Sequence, residues 1–121
     1  MNITRSDFNV IPVRQNFDAN NQSFSADFRV EGDQIVDDGY IVMQVRSIGE
    51  PGRHKIFLNN EEIEGHFDFK PAPGGSHAWV SWMTTFKPDK LKPGINRIRI
   101  KREGSDNFEV GDMVVNWRER N

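Results

Sequence analysis

Residues 91–100 read Leu91-Lys92-Pro93-Gly94-Ile95-Asn96-Arg97-Ile98-Arg99-Ile100, a turn signal that opens directly into strict alternation. Proline fixes φ and glycine permits a positive φ, so the chain is expected to reverse at Pro93-Gly94. Successive side chains of a strand point to opposite faces, which sends Ile98 and Ile100 into a core and Arg97, Arg99 and Lys101 the other way. This stretch is the centre of a larger unit: a long β-pattern over 76–86, a proline-flanked turn over 87–94, and two further strands. Within the turn, Asp89-Lys90-Leu91 reads as one helical turn with Leu91 tucked inward.

Moving outward, Ala78, Val80, Trp82, Thr84 and Phe86 alternate with His77, Trp79, Ser81 and Met83. The first set is the more apolar, so Trp82 is expected in the core and Trp79 on the opposite face. The last strand, 107–118, changes parity. Phe108 and Val110 are in phase with each other, whereas Met113, Val115 and Trp117 fall on odd positions, with Gly111 between them as the residue expected at a bulge. In 53–63, Asn59-Asn60 tolerates the positive φ of a two-residue hairpin loop. That loop pairs Leu58 with Glu61, Phe57 with Glu62 and Ile56 with Ile63. The stretch 65–75 begins strand-like, with Phe67 and Phe69 opposite His66 and Asp68, and becomes a Pro/Gly loop.

Nearer the start, 40–48 reads as a long strand with Ile41, Met43 and Val45 inward, and Tyr40, Gln44 and Arg46 outward together with Val42. Residues 31–39 hold Gly32, Asp33, Asp37 and Asp38 around Ile35-Val36 and read as a loop. Residues 23–30 alternate cleanly, Phe24, Ala26, Phe28 and Val30 against Ser25, Asp27 and Arg29. A polar turn at 18–22 precedes them. In 7–13, Phe8, Val10 and Pro12 alternate against Asn9 and Ile11, and Pro12, which cannot donate to a ladder, marks an edge strand. No stretch shows a helical period. The expected fold is all-β: an antiparallel two-sheet β-sandwich, a jelly roll of about eight strands.

At 121 residues the chain reads as one domain, 1–121, large enough to bury a two-layer core without covalent staples. It has no cysteine, which removes disulfides, thiolate metal sites and a cysteine nucleophile, and leaves the compartment open. Nowhere do the ~18 uninterrupted apolar residues of a membrane span occur, so the chain is expected to be soluble, without membrane insertion or an export signal. A net charge of -2 with 28% charged residues gives no strong field of either sign. Nucleic acid is therefore not the expected partner.

The order Lys55-Ile56-Phe57-Leu58-Asn59-Asn60-Glu61-Glu62-Ile63, a Trp-bearing strand, and then the stretch 91–100 resembles the galactose-binding-like jelly-roll domains. It looks most like the sugar-binding domains that accompany β-galactosidase-type glycoside hydrolases. The resemblance covers residues 53 to 102 and rests on structural motifs, with Asn60 standing where the group usually has glycine. It implies a fold and a tendency to bind, mostly carbohydrate. It implies no site residues.

The sequence offers several constellations that bear on chemistry. His66 and Asp68 share a strand face and His77 lies beyond the loop, so these three could converge on a metal ion. The reading preferred is of solvent-facing histidines, with no metal and no cofactor. The carboxylates of 31–39 could coordinate calcium, but they do not recur at alternate positions, and a solvated acidic loop is expected instead. A carboxylate pair for glycosidic acid and base work could be drawn from Glu61, Glu62, Glu64, Asp68 and Asp106, all in or beside predicted turns. There is no Gly-x-Ser-x-Gly elbow, phosphate-cradling glycine loop or His-Glu-x-x-His, and catalysis is not expected. Arg97, Arg99, Lys101 and Arg102 form a basic stripe, the first three about 7 Å apart, that would suit an anionic chain. Outward charges also keep sheets apart, and a solvated face is the expected role.

Trp79 carries the binding expectation. An exposed indole offers a flat apolar surface with one donor, suited to stacking on a sugar ring or anchoring a protein. With Tyr40, Gln44, Arg46 and Ser81 it forms the expected ligand-binding set. The alternative is that residues 70–75 fold over Trp79 and bury it. Two functions follow: a non-catalytic carbohydrate-binding module, or an assembly domain of a virion, secretion or cell-surface complex in which the same patch and an edge strand meet a protein partner or a second copy in a homo-oligomer.

Overall fold

An alternating strand can hide its apolar side only by joining a sheet that packs against another layer, and this chain does so twice. The structure is a computed structural model that describes residues 3–48, 54–63 and 79–121. Its strands are β1 (Thr4–Ile11), β2 (Gln15–Phe17), β3 (Ser23–Val30), β4 (Gln34–Arg46), β5 (Lys55–Leu58), β6 (Glu61–Glu62), β7 (Val80–Phe86), β8 (Gly94–Lys101) and β9 (Phe108–Arg120), with a 3₁₀ turn at Pro88–Lys90. One sheet runs β1-β9-β4-β7, with β2 also paired to β9, and the other runs β3-β8-β5-β6. Among the described residues every strand pair is antiparallel. The molecule is the all-β two-sheet sandwich that the alternation predicts. Its described strands number nine against about eight expected, and β2 lies at Gln15–Phe17, where the sequence pattern shows no strand. Among the described residues no helix is long and apolar enough to cross a membrane.

The core lies between the sheets. Ile41, Met43 and Val45 of β4 and Ile98 and Ile100 of β8 are fully buried, as their parity requires. Phe28 of one sheet meets Trp117 of the other with ring centroids 5.7 Å apart. Trp82 is also buried. The parity change in β9 is present: Phe108, Val110, Met113, Val115 and Trp117 all face inward. The β4–β9 register slips between the Met43 and Val45 pairs, opposite Gly111 and Asp112.

The turns follow their residues. Gly94 has φ +88°, the left-handed conformation for which glycine is suited. Leu91 is buried behind the 3₁₀ turn. Asn59 and Asn60 have φ of 51° and 68°, and the strands pair Leu58 with Glu61 and Phe57 with Glu62. The Ile63 N–H donates to the Ile56 carbonyl at 2.9 Å, completing the expected register. Asn59 ties this hairpin to β8. Its side-chain oxygen accepts from the Arg97 N–H at 2.9 Å, and its amide donates to Asn96 Oδ1 at 2.8 Å and to the Lys90 carbonyl at 3.0 Å.

Several expectations are corrected. β1 is an edge strand, but its faces are opposite to the apolar reading of Phe8 and Val10. Val10 pairs with Val114 and Ile11 with the buried Met113, so Ile11 turns inward while Phe8 and Val10 are exposed. Residues 31–39 are not all loop, since β4 begins at Gln34 and pairs irregularly with β9 through two register shifts. Asp37 there pairs with Arg118 at 3.5 Å and Asp38 with Lys87 at 3.3 Å, which answers those carboxylates with cations rather than calcium. Arg102 does not extend the basic stripe. It is buried, its Nε donating to the Asp106 carbonyl at 2.7 Å.

Asp106 is no solvated turn residue either, for its carboxylate meets the buried His54 Nε2 at 3.0 Å. The Glu103 N–H donates to His54 Nδ1 at 3.1 Å, so the ring proton sits on Nε2 and is donated to Asp106. The remaining stripe residues are engaged: Arg97 with Asp27 at 2.8 Å, Arg99 over the Phe57 ring at 4.5 Å and Lys101 with Glu103 at 3.4 Å. The Arg97 hydrogen bond holds the exposed Asp27 carboxyl below its ordinary pKa. His66, Asp68, His77, Glu64, Phe67 and Phe69 lie outside the described residues. Among the described residues no group of three or more His, Cys, Asp or Glu side chains could hold a metal ion.

Candidate functional site

Because the odd residues of β4 are committed to the core, its even residues, Tyr40, Val42, Gln44 and Arg46, stand on the outer face of the larger sheet. The β4–β7 register sets Tyr40 beside Thr85, Val42 beside Met83 and Gln44 beside Ser81. Trp79 immediately precedes β7 with parity opposite to the buried Trp82, and it is 37% exposed. Gln44 Nε2 donates to Ser81 Oγ at 2.7 Å beside it.

Two arginines attend the indole. The Arg46 guanidinium lies over the ring at 4.7 Å from its centroid and that of Arg14 at 5.9 Å. Both are within cation–π range. Arg46 Nε also donates to the Glu109 carboxylate, an ion pair that neutralises it. Arg14 has no carboxylate partner among the described residues. The benzo edge of Trp79 rests on Gly111, where an added Cβ would stand 3.1 Å from Trp79 Cζ3 and 3.3 Å from Gln44 Cβ. Only a residue without a side chain lets the indole sit this low.

Together Val13, Arg14, Gln44, Trp79, Gly111 and Asp112 line a recess of about 230 Å³. Asp112 Oδ1 accepts from the Val13 N–H at 3.1 Å, fixing the wall that carries Arg14. The indole N–H donates to no group among the described residues. The result is an apolar plane ringed by amide, hydroxyl, carboxylate and guanidinium groups, a chemistry that matches a ligand with one apolar face and several hydroxyls.

Of the residues expected from sequence, Trp79, Gln44, Arg46 and Ser81 come together. Tyr40 does not join them. It is on the same face but four residues from Gln44 along β4, about 13 Å by strand rise. Arg14, Glu109, Gly111 and Asp112 were not anticipated. Glu109, Gly111 and Asp112 reach the site through β4–β9 pairing and Arg14 through the β1–β2 connection, contacts with no local signature. Gly111 had one legible signal, its place at the parity change, which marked a bulge but not a seat for an indole.

The same face carries exposed apolar residues beyond the recess. Val10 pairs with Val114, Val114 with Val42 and Val42 with Met83, a row across four strands whose ends, Val10 and Met83, are 52% and 62% exposed.

A family model described as "Family of unknown function (DUF7383)" matches residues 5–119. No curated protein matches the chain in sequence. Among solved structures, a family 35 carbohydrate binding module from Clostridium thermocellum is similar with a TM-score of 0.59 at 14% identity, covering 95% of this chain and 97% of that one. The corresponding module from Paenibacillus barcinonensis gives 0.61 at 12% identity, covering 93% and 97%. A β-porphyranase of glycoside hydrolase family 86 from the human gut bacterium Bacteroides plebeius gives 0.61 at 12% identity over 91% of this chain, which spans only 21% of that enzyme. These likenesses show a shared fold, the fold expected from the resemblance to galactose-binding-like domains.

Proposed function

The chain belongs to the DUF7383 family, whose function is unknown, and from that premise we propose that it is a non-catalytic carbohydrate-binding module that stacks a sugar ring on Trp79. The observation that carries this reading is the half-exposed indole with its N–H unpaired among the described residues, set between Gln44, Ser81, Arg46, Arg14 and Asp112. Those groups both donate and accept, as hydroxyls require. The fold shared with carbohydrate-binding modules supports it. The carboxylates at the recess are engaged in holding the site, Glu109 with Arg46 and Asp112 with the Val13 N–H, which favours binding over acid–base chemistry.

A glycan array followed by calorimetry tests the reading. Trp79→Ala should weaken the glycan found by about tenfold to hundredfold, the loss of one stacked ring at about 1 to 3 kcal/mol by analogy with bases on aromatics. Its melting temperature should stay close to that of the wild type. Unchanged affinity in Trp79→Ala would show that the site is elsewhere.

A second reading, an assembly domain, is favoured by the row Val10, Val114, Val42 and Met83. Light scattering tests it. A mass above the monomer that Met83→Lys restores to the monomer would support assembly, and a monomer at all concentrations would end it.

A further inference from the structure

Arg46 has two sides. One lies over Trp79, and the other faces a second recess at the rim of the sandwich, about 380 Å³, lined by Asn16, Asp18, Asn107 and Glu109 in front of Phe17 and Phe108. Those two phenylalanines are stacked at 4.7 Å and buried, so the back of the recess is a packed part of the core. At its front the polar groups retain hydrogen-bonding capacity. The Asn16 side chain bonds to nothing among the described residues. Asn107 Oδ1 accepts from Arg102 Nη2 at 3.1 Å, which leaves its amide hydrogens to donate, and Asp18 accepts the Asn20 and Asn21 N–H groups on Oδ1 alone. Immediately after β4, Ser47 adopts φ 65°, a left-handed conformation uncommon for a residue with a side chain, at the edge of this recess.

We infer that the rim recess is a second sugar subsite, continuous with Trp79 across Arg46, so that the ligand is an oligosaccharide with one ring on the indole and a neighbouring ring held by Asn16 and Asn107. This rests on the carbohydrate reading of Trp79. Arg46 is the shared wall. Its Nε is fixed by Glu109, which leaves its terminal nitrogens directed by an ion pair rather than free to swing, and such a guanidinium can donate to hydroxyls of both rings. A single sugar would fill one recess and leave the other to water. A chain that spans both gains hydrogen bonds without paying again for loss of rotational freedom.

The test is calorimetry with glucose, mannose and galactose and with their β-1,4-linked tetrasaccharides, sugars that differ in which ring hydroxyls are axial. The wild type should bind one tetrasaccharide at least about tenfold more tightly than its monosaccharide. Asn107→Ala should remove that gain and leave monosaccharide affinity unchanged. Asn16→Phe, at an exposed side chain without protein partners among the described residues, should do the same by filling the recess, and it guards against a folding defect at Asn107. Equal affinity for monosaccharide and tetrasaccharide, or a gain that survives both substitutions, overturns the second subsite while leaving Trp79 stacking intact. A substitution that weakens the monosaccharide as much as the tetrasaccharide also overturns it, because the two recesses would then be one site. Failure of the wild type to bind any of these sugars overturns this inference, whereas it takes an empty glycan array to overturn the carbohydrate reading.

Discussion

Trp82 and Trp79 stand three positions apart, yet the first is 7% exposed and the second 37%. Truncating a buried tryptophan removes its burial and leaves a cavity, so Trp82→Ala should lower stability by about 3–5 kcal/mol in urea denaturation. Trp79→Ala should lose well under half of that, and equal losses would contradict the outward placement of Trp79. Gly111 offers a finer probe. Its backbone has no left-handed φ to oppose a side chain, so the effect of Gly111→Ala comes from contact alone. A Cβ 3.1 Å from Trp79 Cζ3 must displace the indole by a few tenths of an ångström. The expected outcome is a shifted tryptophan emission and weaker glycan binding with little change in melting temperature. Binding that persists undiminished would mean that the height of the indole over the sheet does not matter to the ligand.

The β5–β6 hairpin was legible in full because everything that fixes it lies within ten residues: two asparagines able to hold positive φ, and an Ile56–Ile63 match that only one register allows. What its sequence did not disclose is the use of the Asn59 side chain as the clamp between this turn and β8. Asn59→Ala would leave the Arg97 N–H and the Lys90 carbonyl without that partner, and should cost about 1–3 kcal/mol by thermal or chemical denaturation. A neutral outcome would show that water replaces the amide there. β1 and the start of β4 were misread for the converse reason. Their faces are set by pairing with β9, about a hundred residues downstream of β1 in its Val10–Val114 register, and no local pattern reports a partner that distant. The candidate site divides the same way: the parity of β4 and β7 points to Trp79, Gln44, Arg46 and Ser81, and long-range contacts bring Arg14, Glu109, Gly111 and Asp112 beside them.

Across the whole molecule the two outer faces are chemically unlike. On the smaller sheet the charges are matched, Asp27 with Arg97, Arg29 with Glu31 and Lys101 with Glu103, and Arg99 is laid on Phe57. Exposed pairs of this kind contribute little to stability, but they leave few unanswered groups for a ligand. On the larger sheet Asp37 pairs with Arg118 and Arg46 with Glu109, but most of the exposed large apolar side chains gather there: Phe8, Val10, Tyr40, Trp79 and Met83 are all on or beside it. A ligand that gains from apolar contact and from unpaired donors should therefore choose the larger sheet, although the basic row is the more conspicuous feature of the sequence. Amide chemical shifts recorded by NMR during a titration with a glycan that the array identifies decide between the faces. Perturbations should gather at Gln44, Arg46, Ser81, Gly111 and Asp112, and Asp27, Arg97 and Arg99 should stay still. Shifts concentrated on β3 and β8 would instead make the arginine row the binding surface and the indole a bystander.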